Sequence, residues 1–464
     1  MKVLVLKCFK NLSNKQLKSL RNLEHKKKEF KKYPINILQF FSKIHQSNFS
    51  TTNKINYNNN NSSIMKEYKT KIDNSLHIFE EIFHKEIKTR NQLIDYFDFK
   101  SISTNVSLEG STPLKSLNHS IFFPCWDMVH RGGKRWRPIL GLMIADIFKI
   151  DLSNPNKNEN QKLYYKLLFL VESLHNASLI LDDVEDKSES RRNLPCVHKT
   201  FGEAIAINAG ISFLFFPFYK IIQHINDPLI IADLSKYFFQ ELSAIHIGQG
   251  WDIEMNINKR TPSIENYSDT VLMKTGVFPR LIVKLLKVLI KNEMSKNKIS
   301  DKQLTEVEKI FESLIHIVDN MSIVFQIKDD LLNITDSELA KGKGFFGEDI
   351  FEGKLTLMIL HSLNKKACSA QEAEEVEKNK NRLREILDMK TKDPQLIKEA
   401  VDILIRNESV QFAECFMKKH VDKANLLCEE LIDEIEKSDT KDEFDIYAVR
   451  YIKTLISYLI DRSI

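Results

Sequence analysis

Apolar residues three and four positions apart begin in "IMKEYKTKIDNSLHIFEEIFHKEI" and recur almost to the C-terminus, the spacing of one face of an α-helix. Only 13 Gly and 11 Pro punctuate the 464 residues, and no useful length of alternating apolar and polar residues reads as a strand. The pattern predicts an all-α fold: long helices joined by short polar loops such as "DLSNPNKNENQ" and "MNINKRTPS". No repeat of fixed period appears, which argues against a solenoid. Residues 65–464 therefore read as one all-α domain, with 29 Phe in the chain to help build a large core.

Residues 1–64 have a different composition. They are rich in Lys, Ser and Asn, and Glu24 and Glu29 are their only acids. The first half suits a basic amphipathic helix, and the stretch ends in low-complexity asparagine. This predicts a removable leader for an organelle, mitochondrial or plastid-type. The alternative is a disordered lysine-rich tail on a cytoplasmic protein. An RNA-binding arm is disfavoured because stacking aromatics are few, and the net charge of +5 is mild for this length. No nucleic-acid partner is expected. Six scattered cysteines without a CxxC pair predict reduced, mostly buried thiols rather than a zinc site or disulfide framework. "ISFLFFPFYKII" is the longest apolar stretch; it is too short to span a bilayer and contains Pro217.

The stretch "LILDDVEDKSESRR", residues 179–192, poses the chemical question. An apolar run ends in three aspartates and a glutamate, and two arginines follow. Gathering buried carboxylates is costly unless something neutralises them. At about 100° per residue, His175, Asp182 and Asp186 share a stripe of about 40°, with Ser178 one turn before Asp182. Carboxylates one turn apart suit a hard divalent cation such as Mg²⁺, whose other ligands are water and phosphate oxygens. In "VFQIKDDLLNITD" the same geometry groups Gln326, Asp329, Asp330 and Asn333. Either motif alone reads as a solvated acidic helix end. Two of them on apolar helices point to a shared cation cluster inside a bundle.

Cations complete the pattern. "RGGKRWRP" sets two glycines before Lys134, Arg135 and Arg137, and glycines let a main chain approach an anion that arginine can grip. Arg191 and Arg192 follow the first acidic motif, "MKTGVFPR" offers Lys274 and Thr275, and "KGKGFFGEDIFEGK" offers Lys343 and Lys354. The last is not a phosphate-binding Walker loop, since its spacing is absent. The inventory suits two polyanions, one held through metals and one held directly.

In order and spacing, "GGKRWRP", "LHNASLILDDVEDKSESRRNLP", "GQGWDI", "MKTGVF", "FQIKDD" and "KGFFGEDIFEGK" resemble the trans-isoprenyl diphosphate synthases, or polyprenyl synthetases. The likeness covers roughly 125–365 and is nearest to the eukaryotic geranylgeranyl diphosphate synthases. It implies an all-α bundle around a deep cavity, working as a homodimer or larger assembly. It implies that Asp182 and Asp186, with Asp329 opposite, hold about three Mg²⁺ ions that bind an allylic diphosphate. Arg191, Lys274 and Lys354 would touch that diphosphate. Lys134, Arg137, His175 and Arg192 would hold isopentenyl diphosphate. Thr275 and Gln326 would present oxygens to the developing cation, and Lys343 would lie near the leaving group. Asn333 stands where the commonest pattern has a last aspartate.

Relatives that stop at fifteen carbons often carry aromatics four and five residues before the first aspartate. Here those positions are Ser178 and Ala177, so a longer product is expected, geranylgeranyl diphosphate first. A long-chain polyprenyl synthase for quinone side chains and a non-catalytic partner subunit are the alternatives. A class I terpene cyclase binds one diphosphate and would lack the GGKRWRP loop and the Arg191–Arg192 pair. Phe213, Phe215, Phe216 and Phe218 are candidates for a deeper cavity floor.

Overall fold

The computed structural model describes residues 57–97, 111–258, 261–296, 300–335, 346–367 and 369–461. Ser62–Ile464 forms one compact unit; of Met1–Asn61, only the start of helix Tyr57–Asn74 is described. The leader expected over 1–64 thus lies almost entirely outside the described residues.

The fold is all-α. The elements framing the interior are numbered here in chain order: α1 (Trp136–Ile147), α2 (Glu159–Glu185), β1 (Ser190–Arg191), β2 (Leu194–Pro195), α3 (Glu203–Ile222), α4 (Pro228–Asn258), α5 (Ile264–Lys274), α6 (Val277–Lys296), α7 (Asp301–Thr335) and α8 (Glu348–Glu352). The α2 helix packs on α3 and α6, and α4 packs on α5 and α6. The α7 helix packs on α6 and on helix Ser409–Lys437.

Local chemistry sets the ends. The Asn158 side chain caps α2 by accepting the Gln161 N–H, and Ser263 with Asn266 forms a capping box on α5. The two short strands pair Ser190 with Pro195 and Arg191 with Leu194. Their two-residue turn, Arg192–Asn193, has positive φ at both positions, 55° and 64°, the geometry of a tight hairpin turn. Among the described residues these are the only strands.

Apolar faces converge in two main cores. One includes Phe169, Phe213, Ile245 and Phe278, and the other Tyr267, Val271, Ile327 and Leu360. Cys125, Cys196 and Cys428 are buried free thiols, whereas Cys415 is exposed. The α3 helix is longer than its apolar run suggested. It and Asp301–Ile334 are long and apolar enough to cross a bilayer, but about half of each apolar window is buried against the bundle. Core packing accounts for that half of the apolarity.

Candidate active site

A cavity of about 280 Å³ opens where the two cores meet, lined by α1–α7 together with the α8 region. Leu181, Leu214, Ile245 and Phe278 supply apolar wall, while Asp182, Asp252, Lys274, Asp329 and Lys354 supply charge.

Three cations answer the question raised by "LILDDVEDKSESRR". Lys274 Nζ lies 3.1 Å from Asp182 Oδ1 and 2.7 Å from Asp252 Oδ2. Lys354 Nζ lies 2.7 Å from Asp186 Oδ2 and 2.6 Å from Glu352. Arg191 donates to Asp183 Oδ1 through Nε at 2.9 Å and Nη2 at 2.5 Å. Burial alone would raise the Asp182 carboxyl, but Lys274, Lys354 and Arg191 outweigh it and hold the group below the usual carboxylate range. Burial, reinforced by the charge of Asp182, pushes the Asp186 carboxyl up to about 7. One site therefore holds a strongly ionised carboxylate beside a reluctant one.

Lys354 is delivered by a turn that needs glycine. Gly353 closes α8 at φ 75°, in the left-handed region. Lys343, grouped with Lys354 in the sequence, lies outside the described residues.

Opposite, Asp329 and Asp330 both line the cavity, and Asp330 is buried. Tyr267 donates to Asp330 Oδ2 at 3.1 Å and Gln326 Nε2 to Oδ1 at 2.8 Å. Thr275 donates to Gln326 Oε1 at 2.8 Å, so the two residues expected to face the reacting carbon form one chain of hydrogen bonds. Asn333 is buried off the cavity. Its side-chain oxygen accepts the Asp349 N–H at 3.2 Å and its carbonyl the Gly347 N–H at 3.0 Å. The residue standing for the missing aspartate ties α7 to the start of α8. Nearby, burial and then the charge of Glu352 push the Glu348 carboxyl up to about 8.

The four residues expected at isopentenyl diphosphate divide into two pairs. Arg137 and His175 line the cavity. The Arg137 guanidinium lies 4.7 Å from the Trp136 ring centre and within 6 Å of Phe278 and Phe325. Burial, reinforced by Arg137, Arg192 and Arg191, pushes the His175 imidazole well below its ordinary value, which leaves it neutral at pH 7. Lys134 is exposed and Arg192 points elsewhere; neither lines the cavity. Arg192 donates to the Met128 and Gly132 carbonyls and to Asn176 Oδ1. These bonds offset the strain of a non-glycine residue at φ 55°. In return Arg131 Nη1 donates to the Arg191 carbonyl at 3.1 Å, so the two basic segments clasp each other's backbone.

Ser178 is on the cavity wall, its hydroxyl donating back to the His175 carbonyl at 2.9 Å. Ala177 is fully buried, with its backbone toward Gly210 of α3, and does not line the cavity. None of the four phenylalanines lines it either. Phe213 packs on Phe79 and Phe83, Phe216 on Phe97, Phe218 stacks on Phe238, and Phe215 is exposed. Leu214 reaches the cavity instead.

Sequence reasoning gave no role to Gln249, Asp252 or Glu352, although "GQGWDI" and "GEDIFEGK" contain them. Gln249 Nε2 donates to Asp182 Oδ1 at 3.1 Å and Glu185 Oε2 at 2.5 Å. The signal available was position: Gln249 and Asp252 lie about one turn apart on α4, facing the first acidic motif.

These donors fit Mg²⁺. Asp182 and Asp329 present hard oxygens to one cavity from two helices. Among the described residues no three His, Cys, Asp or Glu side chains are gathered into a ready-made metal site. That suits an ion that takes one or two carboxylates and completes its shell with water and phosphate.

Residues 119–404 match the family model described as polyprenyl synthetase. A geranylgeranyl pyrophosphate synthase of Emericella nidulans is 30% identical over 329 residues, covering 67% of this chain and 74% of the relative. One from Dictyostelium discoideum is 30% identical over 266 residues, covering 57% and 74%. The geranylgeranyl pyrophosphate synthetase of Pyrococcus horikoshii has a similar fold, with TM-score 0.58 and 23% identity over 84% of this chain and all of that one. The Corynebacterium glutamicum synthase, solved with isoprenyl diphosphate and magnesium, gives 0.59 and 18% over 80% of this chain and 97% of its own. With its acidic helices facing one cavity and most of its length matched, the chain belongs to the polyprenyl synthetase family and is a prenyltransferase.

Proposed function

We propose that the protein condenses isopentenyl diphosphate with an allylic diphosphate, using about three Mg²⁺ ions, and that its main product is geranylgeranyl diphosphate. The observation that carries the reading is the placement of Asp182 and Asp329 on one cavity, with Lys274, Lys354 and Arg191 beside them. The relatives at 30% identity support the product assignment.

Asp182, Asp186 and Asp329 are the residues that would hold Mg²⁺, which when bound supplies Lewis-acid stabilisation of charge on the departing pyrophosphate. Lys274, Lys354 and Arg191 bind the same diphosphate and stabilise that charge directly as the allylic C–O bond breaks. Arg137 and neutral His175 hold isopentenyl diphosphate from the α1–α2 side. That places its double bond beside the allylic cation, an orientation effect. Thr275 and Gln326 turn their oxygens toward the cation. Leu181, Leu214, Ile245 and Phe278 keep water from it. The released pyrophosphate removes the proton that restores a double bond.

The functional unit is a homodimer. Ile207, Ile211 and Phe215 form an exposed apolar stripe on α3, and Phe239, Ile247 and Trp251 extend apolar exposure along α4. Such a surface supports pairing with a second copy. Sedimentation at twice the 54.1 kDa chain mass is expected, and a monomer at working concentration would reject the dimer. The basic, acid-poor composition of residues 1–64 supports targeting to an organelle. Fusing 1–64 to a fluorescent reporter tests this, and a diffuse cytoplasmic signal would reject it.

Asp182→Ala and Asp329→Ala test the site. Each should lower turnover by about 10³-fold or more while the fold persists. Near-normal activity in either variant would remove that residue from the metal site.

A further inference from the structure

Lys274 and Thr275 sit at the break between α5 and α6, where the Thr275 and Gly276 N–H groups both donate to the Val271 carbonyl at 2.7 and 3.1 Å. Two contacts hold this break in place. Gly248 of α4 approaches one side so closely that an added methyl would lie 2.8 Å from Lys274 N. On the other side Arg280 Nη2 donates to the Leu272 carbonyl at 2.8 Å. The same guanidinium donates to Asp319 Oδ1 at 2.8 Å and to Glu241 Oε2 at 3.2 and 3.3 Å. Glu241 also accepts Lys284 Nζ at 2.6 Å. One side chain therefore joins α4, the end of α5, α6 and α7, and none of these four charged groups lines the cavity.

We propose that Arg280 is a positioning residue for the prenyl transfer: by holding the Leu272 carbonyl against Glu241 and Asp319, it aims Lys274 at Asp182 and Thr275 at Gln326. The inference rests on the condensation reading above. A buried ion network could serve the core alone, but a network that did so would not need to grip the last turn of α5. This one does, two residues before the lysine.

Two variants break the grip differently. Arg280→Lys keeps a cation for Glu241 and Asp319 but loses the planar fork that reaches three partners at once. Gly276→Ala keeps Arg280 and places a methyl 2.6 Å from Arg280 Nη1 and 2.7 Å from the Leu272 oxygen, forcing them apart. Both should lower kcat about 10- to 100-fold, with KM for isopentenyl diphosphate changed by less than about two-fold. Arg137 and His175 lie on other helices, which is why KM should hold.

A second readout is the ratio of allylic alcohol to elongated product. The alcohol forms when the C–O bond ionises to release pyrophosphate and a water oxygen, losing a proton, takes the cation in place of the isopentenyl double bond. The ratio should rise in both variants. If wild-type protein condenses the two diphosphates yet the folded variants keep its kcat and alcohol ratio, the positioning role is overturned. A loss that merely tracks the folded fraction overturns it too. If wild-type protein does not condense them, the site reading itself fails. Should Arg280→Lys not fold, Gly276→Ala decides the question.

Discussion

Neighbouring aspartates in each acidic motif point about 100° apart around their helix, and they meet different surroundings. Asp182 faces the cavity, whereas Asp183 is fully buried and holds Arg191 at the cavity edge. Removing one partner of such a pair costs about 3–5 kcal/mol, because the other charge is left buried alone. In the second motif both carboxylates line the cavity, and Asp330 is held there by Tyr267 and Gln326. Helical spacing showed that both motifs carry carboxylates on one side. It could not show how each carboxylate of a pair is partnered, because that depends on neighbours distant in the chain. Glu348 offers a test at this scale. Its carboxyl keeps its proton in the folded chain between the ordinary 4.5 and about 8, so folding takes up a proton there. Stability should fall as pH rises through that window. Glu348→Gln should melt like the parent near about pH 5 and a few degrees higher above about pH 8. Parallel melting curves across the range would show that Glu348 ionises normally.

Among the elements, α2 presents Ser178 and Asp182 one turn apart, and α3 faces the same cavity with Leu214. The apolar run of α3 drew attention to its phenylalanines, yet their size puts three of them into the core or against neighbouring rings. The smaller Leu214 is left at the wall. An apolar stretch on a helix buried on several sides has no periodic mark for the face that meets a ligand. Ser178 was legible because the acidic motif fixes the helical phase. Ala177, one residue earlier, turns toward Gly210 instead. Ser178→Phe should therefore block the cavity and shorten the product to fifteen carbons. Ala177→Phe should act through packing with α3, as a loss of stability. An unchanged product from Ser178→Phe, read by chromatography of the dephosphorylated prenols, would move the growing chain away from that wall.

For the whole molecule, the all-α class was readable because helical periodicity and scarce Gly and Pro are local signals. The two-stranded hairpin at Arg191–Leu194 was not, since two residues per strand are too few to alternate. That hairpin aims Arg191 into the cavity and turns Arg192 out of it, so the split between two adjacent arginines emerged only in three dimensions. The same holds for Lys134, whose loop is clasped by Arg192 and leaves it exposed. Every part of the proposed mechanism meets in the length of the product. Purified protein would be incubated with Mg²⁺, labelled isopentenyl diphosphate and farnesyl diphosphate, and the product sized. A single twenty-carbon diphosphate, absent when Mg²⁺ is chelated, is the predicted result. A ladder reaching forty carbons or more would contradict the geranylgeranyl assignment, and no product at all would contradict the catalytic site.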